Sequence, residues 1–220
     1  MKAEKIEYDV VAYNALVSSF QNGGKPQMAY DVWKEMCGKS ETTITGRNPN
    51  ETKIRPDIIT LTNVIASLER AKDDDNLNKM DSVFDDAVER QIIFSEDSMD
   101  TLWEIDLSGM SLPVARAACR HIMNKRLFQH SLEQCEDLML ITGVGKHQQK
   151  QAPLNDDDSN VLNRVNFANK QSRTALREYV RQVLREDFEP PIYSVIPKGA
   201  AGTVQVNKDV IEQWMISQQR

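Results

Sequence analysis

The sequence predicts an α plus α/β chain: an N-terminal solenoid of helical hairpins over residues 1–97, then a small βαβαββ domain over 98–220. Three observations predict it. Apolar residues at helical spacing recur twice in matching register within the first hundred residues. Beyond them, short apolar runs alternate with helical patterns, which argues for a small, partly parallel sheet covered by helices. A polar stretch, 148–171, interrupts the second pattern and carries Asp156-Asp157-Asp158, so it reads as an insertion.

In the first region Val10, Tyr13, Leu16, Val17 and Phe20 mark a helix that Asn22-Gly23-Gly24 ends. Pro26 opens a second helix, with Met28, Ala29, Val32, Trp33 and Met36 on one face and Gly38 as its stop. A polar insert, 40–52, follows. Ile58, Leu61, Val64, Ile65 and Leu68 then repeat the first helix, and Val83, Phe84 and Ala87 repeat Val32, Trp33 and Met36. Asp73-Asp74-Asp75 reads as a loop that lengthens the second turn.

In the second region Leu102 to Leu107 reads as a strand. Ser111 and Pro113 open a helix whose apolar face holds Leu112, Ala115, Ala118, Cys119, Ile122 and Met123. Leu138 to Thr142 is a second strand that runs into a glycine loop, Gly143 to His147. Ser172 caps a helix bearing Ala175, Leu176, Tyr179, Val180, Val183 and Leu184. Ile192–Ile196 and Thr203–Val206 read as two strands, and Asn207 caps a last helix.

Composition bounds the function. With 40% hydrophobic and 27% charged residues, a soluble globular protein is the default, and no apolar run approaches the roughly 20 residues of a membrane helix. The start of the chain has no signal-like apolar core, so the protein is expected to stay where it is made or to be a mature or trimmed form. Cys37, Cys119 and Cys135 are odd in number and lack C-x-x-C spacing, which suggests free thiols rather than disulfides or zinc. A net charge of −6 argues mildly against nucleic acid, whose binding rests on neutralised phosphates. Against that, Arg173, Arg177, Arg181 and Arg185 recur every four residues on one side of a helix, either as a phosphate-facing stripe or as a solvated face.

Asp9-Val10-Val11-Ala12-Tyr13-Asn14-Ala15-Leu16-Val17, Ala29-Tyr30-Asp31-Val32-Trp33-Lys34-Glu35-Met36 and Ile54-Arg55-Pro56-Asp57 together resemble a pentatricopeptide repeat. The stretch from Ile58 to about Ser95 resembles a second, weaker one. The resemblance implies binding of single-stranded RNA, one base per repeat. It also implies that a base is read by Asn14 with Asp57, a uracil-preferring combination, and another by Thr62 with Ser95, which matches no standard pair. Two repeats would read about two bases, so the chain is expected either to end a longer array or to cap a short one with its second domain.

From Leu102 onward the chain resembles the small MutS-related domain. Ile105-Asp106-Leu107-Ser108-Gly109-Met110-Ser111 is similar to that family's leucine-aspartate-x-histidine-glycine strand end. Thr142-Gly143-Val144-Gly145-Lys146-His147 is similar to its threonine-glycine-x-glycine-x-histidine loop. The resemblance implies nucleic-acid contacts through Gly143, Gly145 and Lys146, to which the basic stripe adds Arg173 and Arg177. In some members it also implies endonuclease chemistry. Asp106 and His147 are the catalytic candidates, with magnesium as the cofactor if cleavage occurs and no cofactor otherwise. Ser108 stands where the family usually has histidine, and a hydroxyl cannot move a proton near neutral pH without a neighbouring base. The pairing of repeats with this domain is found mainly in organelle proteins and favours the chloroplast over the mitochondrion. Three roles are therefore expected in competition: an RNA-binding adaptor, an RNA endonuclease, and a protein-interaction module of an organellar ribosome or transcription complex.

Overall fold

A computed structural model of the chain describes residues 9–40, 44, 54–71, 73–94, 103–129, 131–143 and 174–219. The chain divides into two compact units, Met1–Glu96 and Asp97–Arg220.

Among its described residues the first unit has the helices α1 Val10–Asn22, α2 Pro26–Met36, α3 Ile58–Glu69 and α4 Asp74–Glu89. Each start has a local cause. Asp9 caps α1 by accepting the Ala12 N–H at 2.8 Å, and Pro26 opens α2. Asp57 caps α3 in a reciprocal box with Thr60, and Asp73 caps α4 by accepting the Asn76 N–H at 2.8 Å. The first acidic run is therefore a helix start and not the expected loop. Asp74 and Asp75 lie in the first turn of α4, where the helix dipole favours negative charge. Gly38 ends the first hairpin with φ of +68°, a backbone setting that side chains resist.

Helix α3 packs on α1, α2 and α4. Tyr13, Val17, Trp33, Leu61, Ile65 and Phe84 are among the buried residues between them. Ile58, expected in the core, is 48% exposed at the first turn of α3. Arginines past the helix ends tie the hairpins together in the same way twice. Arg70, after α3, donates to the carbonyl of Gln21 near the end of α1 (3.3 Å), and Arg90, after α4, donates to that of Cys37 just after α2 (2.9 Å). Helix-end carbonyls lack intrahelical partners, so these bonds satisfy them while fixing how the hairpins stack.

Glu35 is fully buried. One carboxylate oxygen accepts the Tyr13 hydroxyl at 3.0 Å and the other accepts the Ile44 N–H at 2.8 Å, which anchors the start of the polar insert to the core. Tyr13→Phe is expected to lower the stability of this unit by about 1–3 kcal/mol, because a buried acceptor loses a donor. Urea denaturation of the variant against the parent protein measures it, and an unchanged midpoint contradicts it.

The second unit contains a three-stranded sheet in the order β1 Glu104–Asp106, β2 Leu138–Ile141, β3 Thr203–Val206. Strand β1 runs parallel to β2, and β3 runs antiparallel to it. Its helices are α5 Leu112–His121, α6 over 174–186 and α7 Lys208–Ser217. A π turn, Ile122–Arg126, extends α5. The expected strand Ile192–Ile196 does not form. Only Val195 pairs, through two bonds with Gln205 of 2.8 and 2.9 Å. Pro191 and Pro197 bracket the segment and remove ladder donors, and only Ile192 within it is buried.

Two expected caps also differ. Ser111 and Asn207 stand at the starts of α5 and α7, yet neither side chain bonds to its helix. Asp137 caps α7 instead, accepting the Lys208 N–H at 2.8 Å and the Gln205 amide at 2.7 Å. Ala175, expected on the apolar face of α6, is exposed, while Leu176, Val180, Val183 and Leu184 are buried. Asp187, just past α6, takes both ends of the Arg116 guanidinium from α5 at 2.7 and 2.8 Å, with Arg120 at 3.5 Å. Trp214 of α7 packs against Phe128 and Phe188, with ring centres 5.7 and 5.8 Å away.

Candidate functional site

The first unit brings Asn14 and Asp57 together although they are 43 positions apart. Asn14 lies on α1 and Asp57 at the start of α3, and α1 packs directly on α3. The Asn14 amide nitrogen is 3.1 and 3.2 Å from the two Asp57 carboxylate oxygens. The insert between the hairpins therefore does not displace Asp57 from its partner.

Burial works against charge on Asp57, but the bonds it accepts outweigh that effect. The largest come from the Thr60 N–H and the Asn14 amide, and they hold the carboxyl below its ordinary value. Asp57 is thus ionised at neutral pH and acts only as an acceptor.

Thr62 is half-buried on α3, and its hydroxyl donates to the Ile58 carbonyl at 2.8 Å. With its proton turned to its own helix, the Thr62 hydroxyl presents an acceptor outward. Ser95 lies outside the described residues.

Three residues here escaped the sequence reading. Thr60 completes the polar cluster, and its signal was the aspartate three positions before it, a capping-box spacing. Val11 and Ile59 are 67% and 55% exposed at corresponding positions of α1 and α3. Each precedes Asn14 or Thr62 by three residues and so shares its helix face. Apolar surface beside a polar side chain suits a base, which has a face to bury and an edge to bond. Their signal was an aliphatic residue just outside the apolar stripe in both repeats.

In the second unit the ends of β1 and β2 lie side by side, with Asp106 opposite Ile141. Asp106 is exposed, and its Oδ1 accepts the Ser108 N–H at 2.7 Å in a turn completed by Gly109 at φ +82°. Gly143 is buried against the backbone of Gly202. A Cβ on Gly202 would stand 3.1 Å from the Gly143 carbonyl oxygen, and Gly202 accepts the Thr142 N–H at 2.7 Å. What approaches Gly143 closely is another stretch of chain.

Arg177 donates to the Ala201 carbonyl at 2.7 Å and pairs with Glu178, which also takes Arg181 at 3.1 Å. Arg177 thereby holds the loop that covers Gly143, and Glu178 offsets part of the arginine stripe. Gly145, Lys146, His147 and Arg173 lie outside the described residues, as does the insertion 148–171.

Burial pushes the Cys37 thiol up to about 11 and the Cys119 thiol up to about 12, so neither is a thiolate near neutral pH. Among the described residues no helix is long and apolar enough to cross a membrane.

Residues 1–40 match the family model of a pentatricopeptide repeat domain. The match covers the first hairpin and none of the second unit, and it supports a pentatricopeptide repeat protein. No curated protein and no solved structure matches the chain.

Proposed function

We propose that the chain binds single-stranded RNA on the face of α1 and α3 that carries Val11, Asn14, Asp57, Ile59 and Thr62, with Asn14 and Asp57 reading one base. The observation that carries this reading is the contact between Asn14 and Asp57 across two stacked hairpins. The family match over the first hairpin supports RNA binding. Together the pair offers an amide donor beside a carboxylate acceptor, and uracil presents a carbonyl beside an N–H.

The finer proposals rest on the resemblance of residues 102–220 to the small MutS-related domain. They are added phosphate contacts through Lys146 and Arg173, and a role in RNA processing, stability or translation in an organelle, the chloroplast ahead of the mitochondrion. Cleavage is the alternative rather than part of this reading, because Ser108 stands where the resembled family usually has histidine.

The test uses the purified chain and a labelled uracil-rich single-stranded RNA at low salt, with and without magnesium. The expected result is intact RNA and binding that weakens as salt rises. Asn14→Ala is expected to weaken it about fivefold, the size of one or two lost hydrogen bonds. Equal binding by Asn14→Ala overturns the reading site. Cleavage that disappears in Asp106→Ala replaces the adaptor with an endonuclease. No affinity for RNA moves the assignment to the protein-interaction role, which the net charge of −6 favours.

A further inference from the structure

We infer that Thr60 is a positioning residue that locks the amide of Asn14, and so sets which atom of Asn14 a base meets; the inference rests on the RNA-reading role proposed above. Thr60 is fully buried, and its hydroxyl oxygen is 2.6 Å from Asn14 Oδ1 and 3.0 Å from Asp57 Oδ1. That hydroxyl has one proton, and the shorter contact takes it. Its oxygen in turn accepts the Asp57 N–H at 3.2 Å.

The orientation of the Asn14 amide follows from chemistry. An ionised Asp57 can only accept, so the atom of Asn14 that faces it is the nitrogen. The Asn14 oxygen then faces Thr60, the donor placed to meet it. The two Asp57 oxygens lie too close together to take one amide hydrogen each from the same nitrogen, so a single N–H is shared between them. The second N–H is left for a ligand. A base approaching Asn14 therefore meets a donor and must supply an acceptor. Without the hydroxyl, Asn14 keeps its tie to Asp57 but its oxygen is released to swing outward, where it would accept from an amino group.

The start of α1 lacks the device. Asp9 caps Ala12 as Asp57 caps Thr60, with N–H to carboxylate distances of 2.8 Å in both, but Ala12 has no hydroxyl.

The experiment compares short oligouridylate with oligocytidylate, because cytosine puts an amino group where uracil has the carbonyl that Asn14 would meet, and an acceptor nitrogen where uracil has its N–H. Affinities are measured on the full chain for the parent protein, Thr60→Val and Thr60→Ser, with the melting temperature of each recorded. Thr60→Val keeps the shape and loses the hydroxyl. It is expected to reduce the uracil-over-cytosine affinity ratio about threefold, the scale of one net hydrogen bond. Thr60→Ser is expected to keep the ratio.

A parent-like ratio in Thr60→Val overturns the inference and leaves the RNA-reading role standing. A ratio lost equally in Thr60→Ser also overturns it, since packing rather than the hydroxyl would then be responsible. A parent protein that binds neither oligonucleotide overturns the RNA-reading role itself, and this inference with it.

Discussion

Asp187→Ala is expected to destabilise the second unit by about 3 kcal/mol, the cost of breaking a largely buried ion pair by removing the carboxylate. The Asp187 side chain is only 6% exposed, and it is the carboxylate that two arginines of α5 share. Removing it takes from Arg116 and Arg120, themselves 21% and 13% exposed, the carboxylate they share. It also cuts the polar tie between α5 and the end of α6. Hydrogen exchange resolved by segment would show the loss in residues 103–143 and 174–219 while α1 to α4 keep their protection. A loss below about 1 kcal/mol would mean that water reaches the site and screens the pair. The double replacement Arg116→Met with Asp187→Leu is expected to recover most of the stability, because apolar groups of similar volume often replace a buried ion pair without loss.

Trp33→Ala is expected to cost the first unit a similar amount, about 3–5 kcal/mol. Trp33 is fully buried on α2, which packs on α1, α3 and α4. Its indole N–H points at Asp86 from 3.4 Å, and Lys39 pairs with the other oxygen of that carboxylate. The alanine variant opens a cavity and also removes one of Asp86's donors. Trp33→Phe keeps a ring in the site and is expected to cost less than half as much. RNA affinity is expected to fall with folded population in the alanine variant, which a binding titration run beside a urea melt can establish. An alanine variant with parent stability would require the hairpins to collapse fully into the space, which close-packed interiors rarely do.

The helices of the first unit were legible because each buries one stripe against a neighbour, and that stripe has a fixed period. The pairing of Asn14 with Asp57 was reachable from the resemblance alone, since nothing in local sequence connects residues separated by an insert. Thr60 as a partner of Asn14 was not reachable, because its partner appears only when α1 and α3 are stacked. Asp73 to Asp75 were misread because charge runs suggest loops, while their capping geometry depends on the backbone at one residue. The strand expected at Ile192–Ile196 failed for a related reason. Its apolar residues satisfied the pattern, but the flanking prolines limit the ladder that would hold it. At Gly143 the sequence allowed a phosphate or a backbone to approach, and only the fold decides between them. The loop residues that carry the remaining chemistry, Gly145 to His147, fall outside the described residues.

Asp57 caps α3 and at the same time holds Asn14 of α1. The Asn14–Asp57 contact therefore exists only while the two hairpins keep their spacing. Stretch along the solenoid axis would draw Asn14 away from Asp57 before either helix unwound, because helix bonds are many and this contact is one side chain wide. Under the RNA-reading role proposed above, recognition at this junction is then a gauge of pitch. A partner that compressed or extended the stack could raise or erase base preference without touching the RNA.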